Sequence, residues 1–180
     1  MKAILPILYN LGIYSAYLAG FLYLRNQSVE LPASKSKPFR FPWVTLFLFL
    51  MVAILSILQN LFPDLLLLFR RDTVRFLDGE WWRLVTPLFF QDGGIGGTIS
   101  NLVGLALIGV VAEQLWDRRD MLLIFFAGGL AGELIGLVWQ PVGAGNSVAN
   151  FSLAASAAIA CLMRRPPQPV LVTALFALGT

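Results

Sequence analysis

The sequence predicts an all-α protein, a polytopic bundle of transmembrane helices. Hydrophobic residues make up 58% of the 180 residues and charged residues only 13%, a balance too apolar for a water-soluble domain. The apolar residues also gather in long blocks, and a hydrocarbon core of ~30 Å takes about 17–25 helical residues to cross. Composition and block length together place the chain among integral, multi-pass membrane proteins.

Five apolar blocks are long enough to cross a bilayer as helices. The first predicts an N-terminal transmembrane helix within residues 1–25, and no small-residue cleavage site follows it. The five blocks are Ile4–Leu24, Trp43–Phe69, Ile99–Leu115, Met121–Trp139 and Ser147–Met163. A sixth run, Val170–Thr180, is too short to cross. We expect it to be an incomplete last helix in a chain that stops inside a span; the alternative is a re-entrant or interfacial tail.

The loops divide the chain and orient it. Residues 26–42, with Ser, Lys and Pro, predict a flexible linker between the first helix and a membrane domain over residues 43–180, incomplete at its C-terminus. The loops after the first, third and fifth blocks hold more Lys and Arg than those on the opposite side. Because such an excess marks the cytoplasmic side, we predict that residues 26–42 and 164–169 are cytoplasmic. Residues 70–97, rich in aromatic rings and glycine, are then an external, interfacial segment.

Metal and nucleic-acid functions are not indicated. The chain has no histidine and one cysteine, Cys161, so no protein-only zinc site, thiolate metal site or disulfide framework is expected. The net charge of +3 follows from loop topology and does not suggest a nucleic-acid partner. We predict no metal and no cofactor, and the lipid bilayer as the surrounding partner.

Small residues recur inside the spans. Gly128, Gly132 and Gly136 are spaced by four, and residues 154–158 are alanines with one serine. Small residues at this spacing let helices approach backbone to backbone. We therefore expect close helix packing around the last complete span.

Chemistry is indicated where a glycine-rich turn, residues 143–147, brings Ser147 to the start of an uncharged apolar helix. A hydroxyl at membrane depth, behind glycines that permit close backbone approach, is suited to a nucleophile. Asn101 should lie about one turn into a helix that begins near Thr98. That places it at the same end of the bundle as Ser147 and within about 6–7 Å of it, where a carboxamide can stabilise an oxyanion.

Two acids also lie inside apolar spans and are costly there unless paired. Glu113 is twelve residues beyond Asn101, or ~18 Å along one helix, so it cannot act with it as an acid–base pair. Hydrogen bonds to a neighbouring helix explain Glu113 better. Glu133 is left open between pairing with a loop donor and a functional role.

Taken in order, these residues resemble the rhomboid family of intramembrane serine proteases. The resemblance covers roughly residues 43–180 and is carried by Glu80-Trp81-Trp82-Arg83, Thr86, Asn101, Gly109 with Glu113, and Gly145-Asn146-Ser147. It implies cleavage of transmembrane protein substrates, with Ser147 as the nucleophile and Asn101 with the Ser147 backbone N–H at the oxyanion.

The resemblance also assigns supporting roles. Trp82 and Arg83 are the structural Trp-Arg pair of the membrane-edged loop, and Glu113 braces the bundle. Gly145 and Asn146 form the turn that faces substrate before the nucleophile. Phe151 occupies the place of an aromatic ring that packs against the catalytic imidazole.

The sequence departs from the family pattern at several positions. Family members commonly carry histidines where this chain has Gln91 and Gly97, and Val148 replaces the glycine that follows the serine. The general-base histidine belongs on the sixth core helix, after the last residue of this sequence. An imidazole takes the serine proton in such a dyad, so we predict that these 180 residues alone are inactive.

Two other interpretations remain open. One is a non-catalytic rhomboid-like protein that binds transmembrane segments without cutting them. The other is an unrelated polytopic protein, such as a transporter subunit, in which Gly145-Asn146-Ser147 serves only helix packing.

For the protein itself, a prokaryotic plasma membrane is the expected location.

The predicted orientation can be tested by cysteine labelling of intact cells. A cysteine introduced by Asp92→Cys should react with a membrane-impermeant reagent, and one introduced by Lys35→Cys should not, because the basic loops are retained in the cytoplasm. Preferential labelling at position 35 would show that the protein has the opposite orientation.

Overall fold

The computed structural model describes residues 40–163. The predicted helix within residues 1–25, the linker up to residue 39, the 164–169 loop and the last apolar run lie outside the described residues. The helices are α1 (Trp43–Leu61), α2 (Asp64–Phe69), α3 (Thr73–Leu77), α4 (Gly94–Leu115), α5 (Arg118–Trp139) and α6 (Ser147–Met163). Three of them, α1, α4 and α5, are long and apolar enough to cross a membrane, and α6 is a shorter apolar helix. The predicted all-α helical bundle is confirmed.

One predicted span is in fact two helices. The block Trp43–Phe69 breaks after Leu61, and α2 begins at Asp64. Pro63 has no N–H to continue the hydrogen-bond ladder, and its ring drives the preceding residue out of the helical region. Phe62 accordingly adopts φ −129° and ψ 83°. Hydropathy does not detect this break because the residues on both sides of it are apolar.

Two other helices begin earlier than predicted. We expected a start near Thr98 for α4 and at Met121 for α5, but they begin at Gly94 and Arg118. Hydropathy identifies the lipid-facing length of a helix, whereas the backbone continues through the polar or glycine residues at its ends. In α4 the Thr98 hydroxyl donates to the Gly94 carbonyl, which extends the first turn.

Helix α6 is the centre of the bundle. It packs against both α4 and α5, and α1 packs against α4. Its inward face is fully buried and made mostly of small side chains, namely Ala149, Leu153, Ala154 and Ala157. Gly128 and Gly132 of α5 lie directly against Ser152 and Val148 of α6. Small residues therefore set the close α5–α6 approach, as predicted for those two glycines, whereas Gly136 faces a side chain of the loop.

Short elements connect the long helices at one end. The segment between α1 and α4 contains α2, strand β1 (Arg71–Asp72), α3 and two 3₁₀ turns, Trp81–Leu84 and Thr86–Leu88. Strand β1 pairs antiparallel with β2 (Val142–Gly143), in the register Arg71↔Gly143 and Asp72↔Val142. This two-residue ladder joins the loop to the turn that precedes α6.

At the opposite end, Glu113 caps α1. Its carboxylate accepts the backbone N–H groups of Val44 and Thr45, at 3.1 and 2.9 Å, and the Thr45 hydroxyl at 3.0 Å. These N–H groups belong to the first turn of α1 and have no intrahelical partner, and a negative charge there is favoured by the helix dipole. One turn earlier on α4, Gly109 leaves room for the Thr45 side chain. Glu113 thus makes hydrogen bonds to a neighbouring helix, as expected for it.

The last residues of the predicted linker are also fixed to the bundle. Arg40 exchanges two hydrogen bonds with the Gln114 amide and donates to the carbonyls of Glu113 and Trp116. A cationic side chain satisfies the last carbonyls of a helix and complements its dipole. The expected flexibility of residues 26–42 therefore does not extend to Arg40.

The Glu113 cap predicts a selective loss of stability. Glu113→Ala leaves three donors, two of them buried, without an acceptor and should lower the free energy of unfolding by about 2 kcal/mol. Thermal unfolding in detergent measures it. Asp117→Ala is the control, because its pair with Arg40 is exposed and should contribute less than about 1 kcal/mol. Equal losses in the two variants would contradict the capping role.

Candidate active site

Ser147 is the first residue of α6, as the sequence predicts. Its side chain is half-buried, and among the described residues no group hydrogen-bonds its hydroxyl. The first N–H groups of a helix have no intrahelical acceptor, so α6 presents donors beside the hydroxyl. A free hydroxyl and free donors are thus placed together at the end of a buried helix.

The turn before Ser147 is held by the loop that connects α1 to α4. Ala144 donates to the Asp92 carboxylate at 2.9 Å and accepts from the Asp92 backbone N–H at 3.2 Å. The Gly145 N–H donates to the Pro87 carbonyl at 2.9 Å. With the β1–β2 ladder, these bonds fix three consecutive residues ahead of Asn146, so the position of Ser147 depends on the loop as well as on its own helix.

The structure brings Ser147 and Asn101 close together. A Cβ placed on Gly145 would lie 3.2 Å from Asn101 Nδ2 and 3.8 Å from Ser147 Oγ. Asn101 Nδ2 and Ser147 Oγ are therefore at most about 7 Å apart, the sum of these two distances. This is the upper limit of the 6–7 Å separation expected from the sequence. The absence of a side chain at Gly145 leaves the space between them open.

Asn101 lies about two turns into α4, rather than the one turn expected, because α4 begins at Gly94. Its Nδ2 donates to Gln91 Oε1 at 2.6 Å. Gln91, at one of the positions where histidine is common in the family that the sequence resembles, is fully buried in this structure. The carboxamide of Asn101 therefore has a fixed partner, and its role at an oxyanion stays a prediction.

Glu133, whose role the sequence left open, pairs with a loop residue. Arg71 Nη1 lies 2.5 Å from Glu133 Oε2, and the two side chains are only 7% and 2% exposed. Arg71 Nε also donates to the Gln140 carbonyl at 3.0 Å. The guanidinium rests on Gly136 and Gly143, where any Cβ would collide with it. This buried ion pair joins β1 to the end of α5.

Arg83 and Thr86 organise the loop around the end of α2. Arg83 is wholly buried, binds Glu80 Oε2 at 2.5 Å and donates to the carbonyls of Leu67 and Arg70. Thr86 donates to the Phe69 carbonyl at 2.6 Å. These carbonyls lie at or just beyond the C-terminal turn of α2, where helical partners are missing. Arg83 thus contacts backbone, which agrees with a structural role.

The remaining predicted residues occupy separate surroundings. Trp82 is exposed and meets Trp81 edge to face at 6.4 Å, an arrangement suited to a membrane interface. Phe151 is half-buried one turn after Ser147, on the same face of α6. Val148 packs against Gly132, so the residue that replaces the usual glycine fills a groove in α5. Among residues 40–163, no group of three or more acidic or cysteine side chains could hold a metal ion.

Three buried carboxamides were not predicted to belong to this site. Gln59, Gln91 and Asn150 are all nearly inaccessible, and each hydrogen-bonds across elements. Gln59 and Asn150 lie inside apolar blocks, so the rule that singled out Asn101 applies to them too. The i, i+4 spacing of Asn146 and Asn150 was a further signal, since it places both on one face of α6.

Comparison with known families shows which family this sequence belongs to. A family model for the rhomboid domain matches residues 78–180, more than half of the chain. The chain belongs to the rhomboid family. The resemblance read from the sequence is thus confirmed: the protein is an integral membrane member of a family of intramembrane serine proteases.

This rhomboid protein is also similar to curated relatives over part of its length. It is 36% identical over 74 residues to Rhomboid protease GluP of Bacillus subtilis, covering 41% of this chain and 14% of the relative. It is 27% identical over 117 residues to Rhomboid-like protease 3 of Toxoplasma gondii, covering 62% and 44%. The chain thus spans less than half the length of either relative. No solved structure gives a significant match.

The buried ion pair of this rhomboid predicts a non-additive mutational response. Glu133→Gln or Arg71→Met alone leaves an uncompensated buried charge and should destabilise by about 3–5 kcal/mol. The double variant, with neither charge, should lose less than the sum of the single losses. Unfolding of all four proteins in the same detergent completes the cycle. Additive losses would show that the two side chains do not depend on each other.

Proposed function

We propose that this rhomboid protein forms the membrane core of an intramembrane serine protease in which Ser147 attacks a peptide carbonyl of a transmembrane substrate. The observation that carries the proposal is the free Ser147 hydroxyl at the start of a buried helix, with the Asn101 amide on the other side of the open space at Gly145. Family membership supports the same reaction class.

The proposed geometry suits acyl transfer. When Ser147 Oγ bonds to the carbonyl carbon, negative charge develops on the carbonyl oxygen and must be stabilised. Asn101 Nδ2 and the N–H groups that open α6 are donors on the side where that oxygen would lie. The peptide amine then leaves with a proton, and water hydrolyses the acyl-enzyme. The residues therefore supply a nucleophile and an oxyanion site.

We do not assign the general base to either buried carboxylate of the spanning helices. Glu113 lies at the opposite end of the bundle, where its oxygens accept N–H groups of α1. Glu133 is bound to Arg71. The 180 residues contain no histidine. We therefore propose that an imidazole from outside these 180 residues completes the site, and that the 180-residue form alone does not cleave peptide bonds.

The substrates we propose are transmembrane helices that can be unwound locally. A peptide bond inside a helix is hidden by its backbone hydrogen bonds, and in lipid these can be broken only where partners replace them. Glycine or proline near the cleavage point lowers that cost. A prokaryotic plasma membrane is the proposed location, in keeping with a relative from Bacillus subtilis.

A non-catalytic role in binding transmembrane segments is the second candidate. Gln91 and Gly97 replace histidines common in the family, and Gln91 is bonded into the protein on both of its amide atoms. A binder would need neither a nucleophile nor a base. The retained pair of Ser147 and Asn101 favours the protease.

Activity in detergent or liposomes tests the proposal. We expect no cleavage of a glycine-containing transmembrane substrate by the 180-residue form, and cleavage by a form extended with a further helix that bears a histidine. In the extended form, Ser147→Ala should abolish cleavage, and Asn101→Ala should lower kcat about 10²–10³-fold, as loss of one oxyanion donor does. Product formation on gels with labelled substrate is the measurement.

A second serine of the same helix provides the control. Ser156 donates to the Leu153 carbonyl and accepts from Trp116, away from the turn, so Ser156→Ala should keep its activity. Cleavage by the 180-residue form would show that the base assignment is wrong. An extended, folded form that remains inactive would favour the binding role.

A further inference from the structure

Four side-chain carboxamides and one backbone carbonyl form a closed ring of hydrogen bonds next to Ser147. The bonds run from Asn101 Nδ2 to Gln91 Oε1 (2.6 Å), from Gln91 Nε2 to Asn146 Oδ1 (2.8 Å), from Asn146 Nδ2 to Asn150 Oδ1 (3.1 Å), and from Asn150 Nδ2 to the backbone carbonyl of Asn101 (3.0 Å). The ring joins the loop, α4 and α6. It begins and ends at the same residue, Asn101.

The ring has only one possible direction. A carboxamide donates through nitrogen and accepts through oxygen, whereas a backbone carbonyl can only accept. Asn150 must therefore turn its NH₂ group toward the Asn101 carbonyl, which leaves its oxygen for Asn146. The same step fixes Asn146 and then Gln91, whose oxygen is left for Asn101. The Asn101 backbone thus determines, through three other amides, that its own side chain presents NH₂ to Gln91.

Burial holds the amides of the ring in this one orientation. Gln91, Asn146 and Asn150 are only 1%, 0% and 3% exposed, so a flipped amide would have no water to replace its lost partner. Gln59 of α1 also holds the backbone of Gln91, donating to its carbonyl at 2.5 Å and accepting its N–H at 2.9 Å. The side chain that contacts Asn101 is therefore itself held from α1 and α6.

We propose that Gln91 is a positioning residue that fixes the Asn101 carboxamide with its NH₂ group available to the oxyanion formed at Ser147. The inference rests on the proposed function. Asn101 Nδ2 carries two hydrogens, and the bond to Gln91 uses one of them. The Cβ position of Gly145 lies 3.2 Å from Asn101 Nδ2, 3.6 Å from Gln91 Oε1 and 3.8 Å from Ser147 Oγ, so the Asn101 amide borders the space beside the Ser147 hydroxyl. We assign the second hydrogen of Asn101 Nδ2 to that space.

This arrangement would lower the activation free energy of the attack by Ser147. A donor that is already oriented does not have to reorganise as charge develops, which is the main source of oxyanion stabilisation. A tether between α4 and α6 already exists in the bond from Asn150 to the Asn101 carbonyl. The bond from Gln91 orients the side chain of Asn101 as well. Joining α4 to α6 would not require that second bond.

Kinetics of the histidine-bearing form test the proposal. Gln91→Met removes both ring bonds of the amide and should lower kcat about tenfold at unchanged KM, less than the 10²–10³-fold of losing a donor itself. Gln114→Met is the matched control: it removes an amide that binds Arg40 near the opposite end of α4 and should leave both constants unchanged.

Gln91→Glu gives a readout that a structural role would not produce. The protonated acid can donate to Asn146 and accept from Asn101, so it restores the ring, whereas the carboxylate faces the Asn146 oxygen without a proton. The kcat of Gln91→Glu should therefore approach the unsubstituted value at low pH and fall relative to it as pH rises. This comparison within one folded variant remains decisive if Gln91→Met does not fold.

A measurement without catalysis tests the ring itself in the 180-residue form. The side-chain NH₂ signals of Asn101, assigned by their loss in Asn101→Ala, should exchange slowly with water in ¹⁵N NMR and exchange faster in Gln91→Met. The side-chain amide of Gln140, which is exposed and makes no hydrogen bond within the described residues, provides the internal comparison. Fast exchange of Asn101 in the unsubstituted protein would overturn the proposal.

The outcomes separate the two proposals. Activity that survives Ser147→Ala, or an inactive histidine-bearing form, overturns the proposed function. Loss of activity in Ser147→Ala together with an unchanged kcat in Gln91→Met, and a pH profile in Gln91→Glu that matches the unsubstituted protein, overturns only the positioning role. A fall in kcat that Gln114→Met shares would assign the effect to general destabilisation and also overturn it.

Discussion

Within a helical bundle surrounded by lipid, water cannot satisfy a buried polar group, so its partner must come from another part of the protein. The Glu113 carboxylate meets this constraint at the start of α1, and Glu133 meets it with Arg71. The carboxamides beside Ser147 meet it by bonding one another. Three buried atoms in the described residues lack a partner, namely Ser56 Oγ, Arg70 Nε and Arg83 Nη2. The long helices are therefore joined by polar contacts as well as by packing.

The sequence alone predicted the elements that depend on local composition. Apolar blocks identified the four main apolar helices within the described residues, and the glycine turn identified the start of α6. The boundary errors have local causes: Pro63 divides an apolar block, and α4 extends backward through glycines. The partners of Glu113 and Glu133 could be assigned only by class, because Arg71 and Glu133 are far apart in the chain and their meeting depends on the β1–β2 ladder.

In the candidate site, too, local sequence features were predictable and contacts between distant residues were not. Ser147 and Asn101 could be selected because a hydroxyl after glycines and an amide in an apolar span are conspicuous, and the matched order of residues supported them. Gln91 was conspicuous only as a departure from the family pattern, since its position in a loop gives no periodicity that predicts burial. Its contacts with Asn101 and Asn146 join residues distant in sequence and become visible only in the folded arrangement.

The Arg71 guanidinium has a consequence for how this protein can change during evolution. It occupies space that exists only because positions 136 and 143 carry no side chain, and its charge is matched by Glu133. A Cβ at either glycine disturbs the fit, and neutralising either Arg71 or Glu133 alone disturbs the charge balance. A larger residue at Gly136 or Gly143 would force the guanidinium to move and so disturb its pair with Glu133. These positions should therefore tend to change together, because they join the loop between α1 and α4 to the turn ahead of the serine.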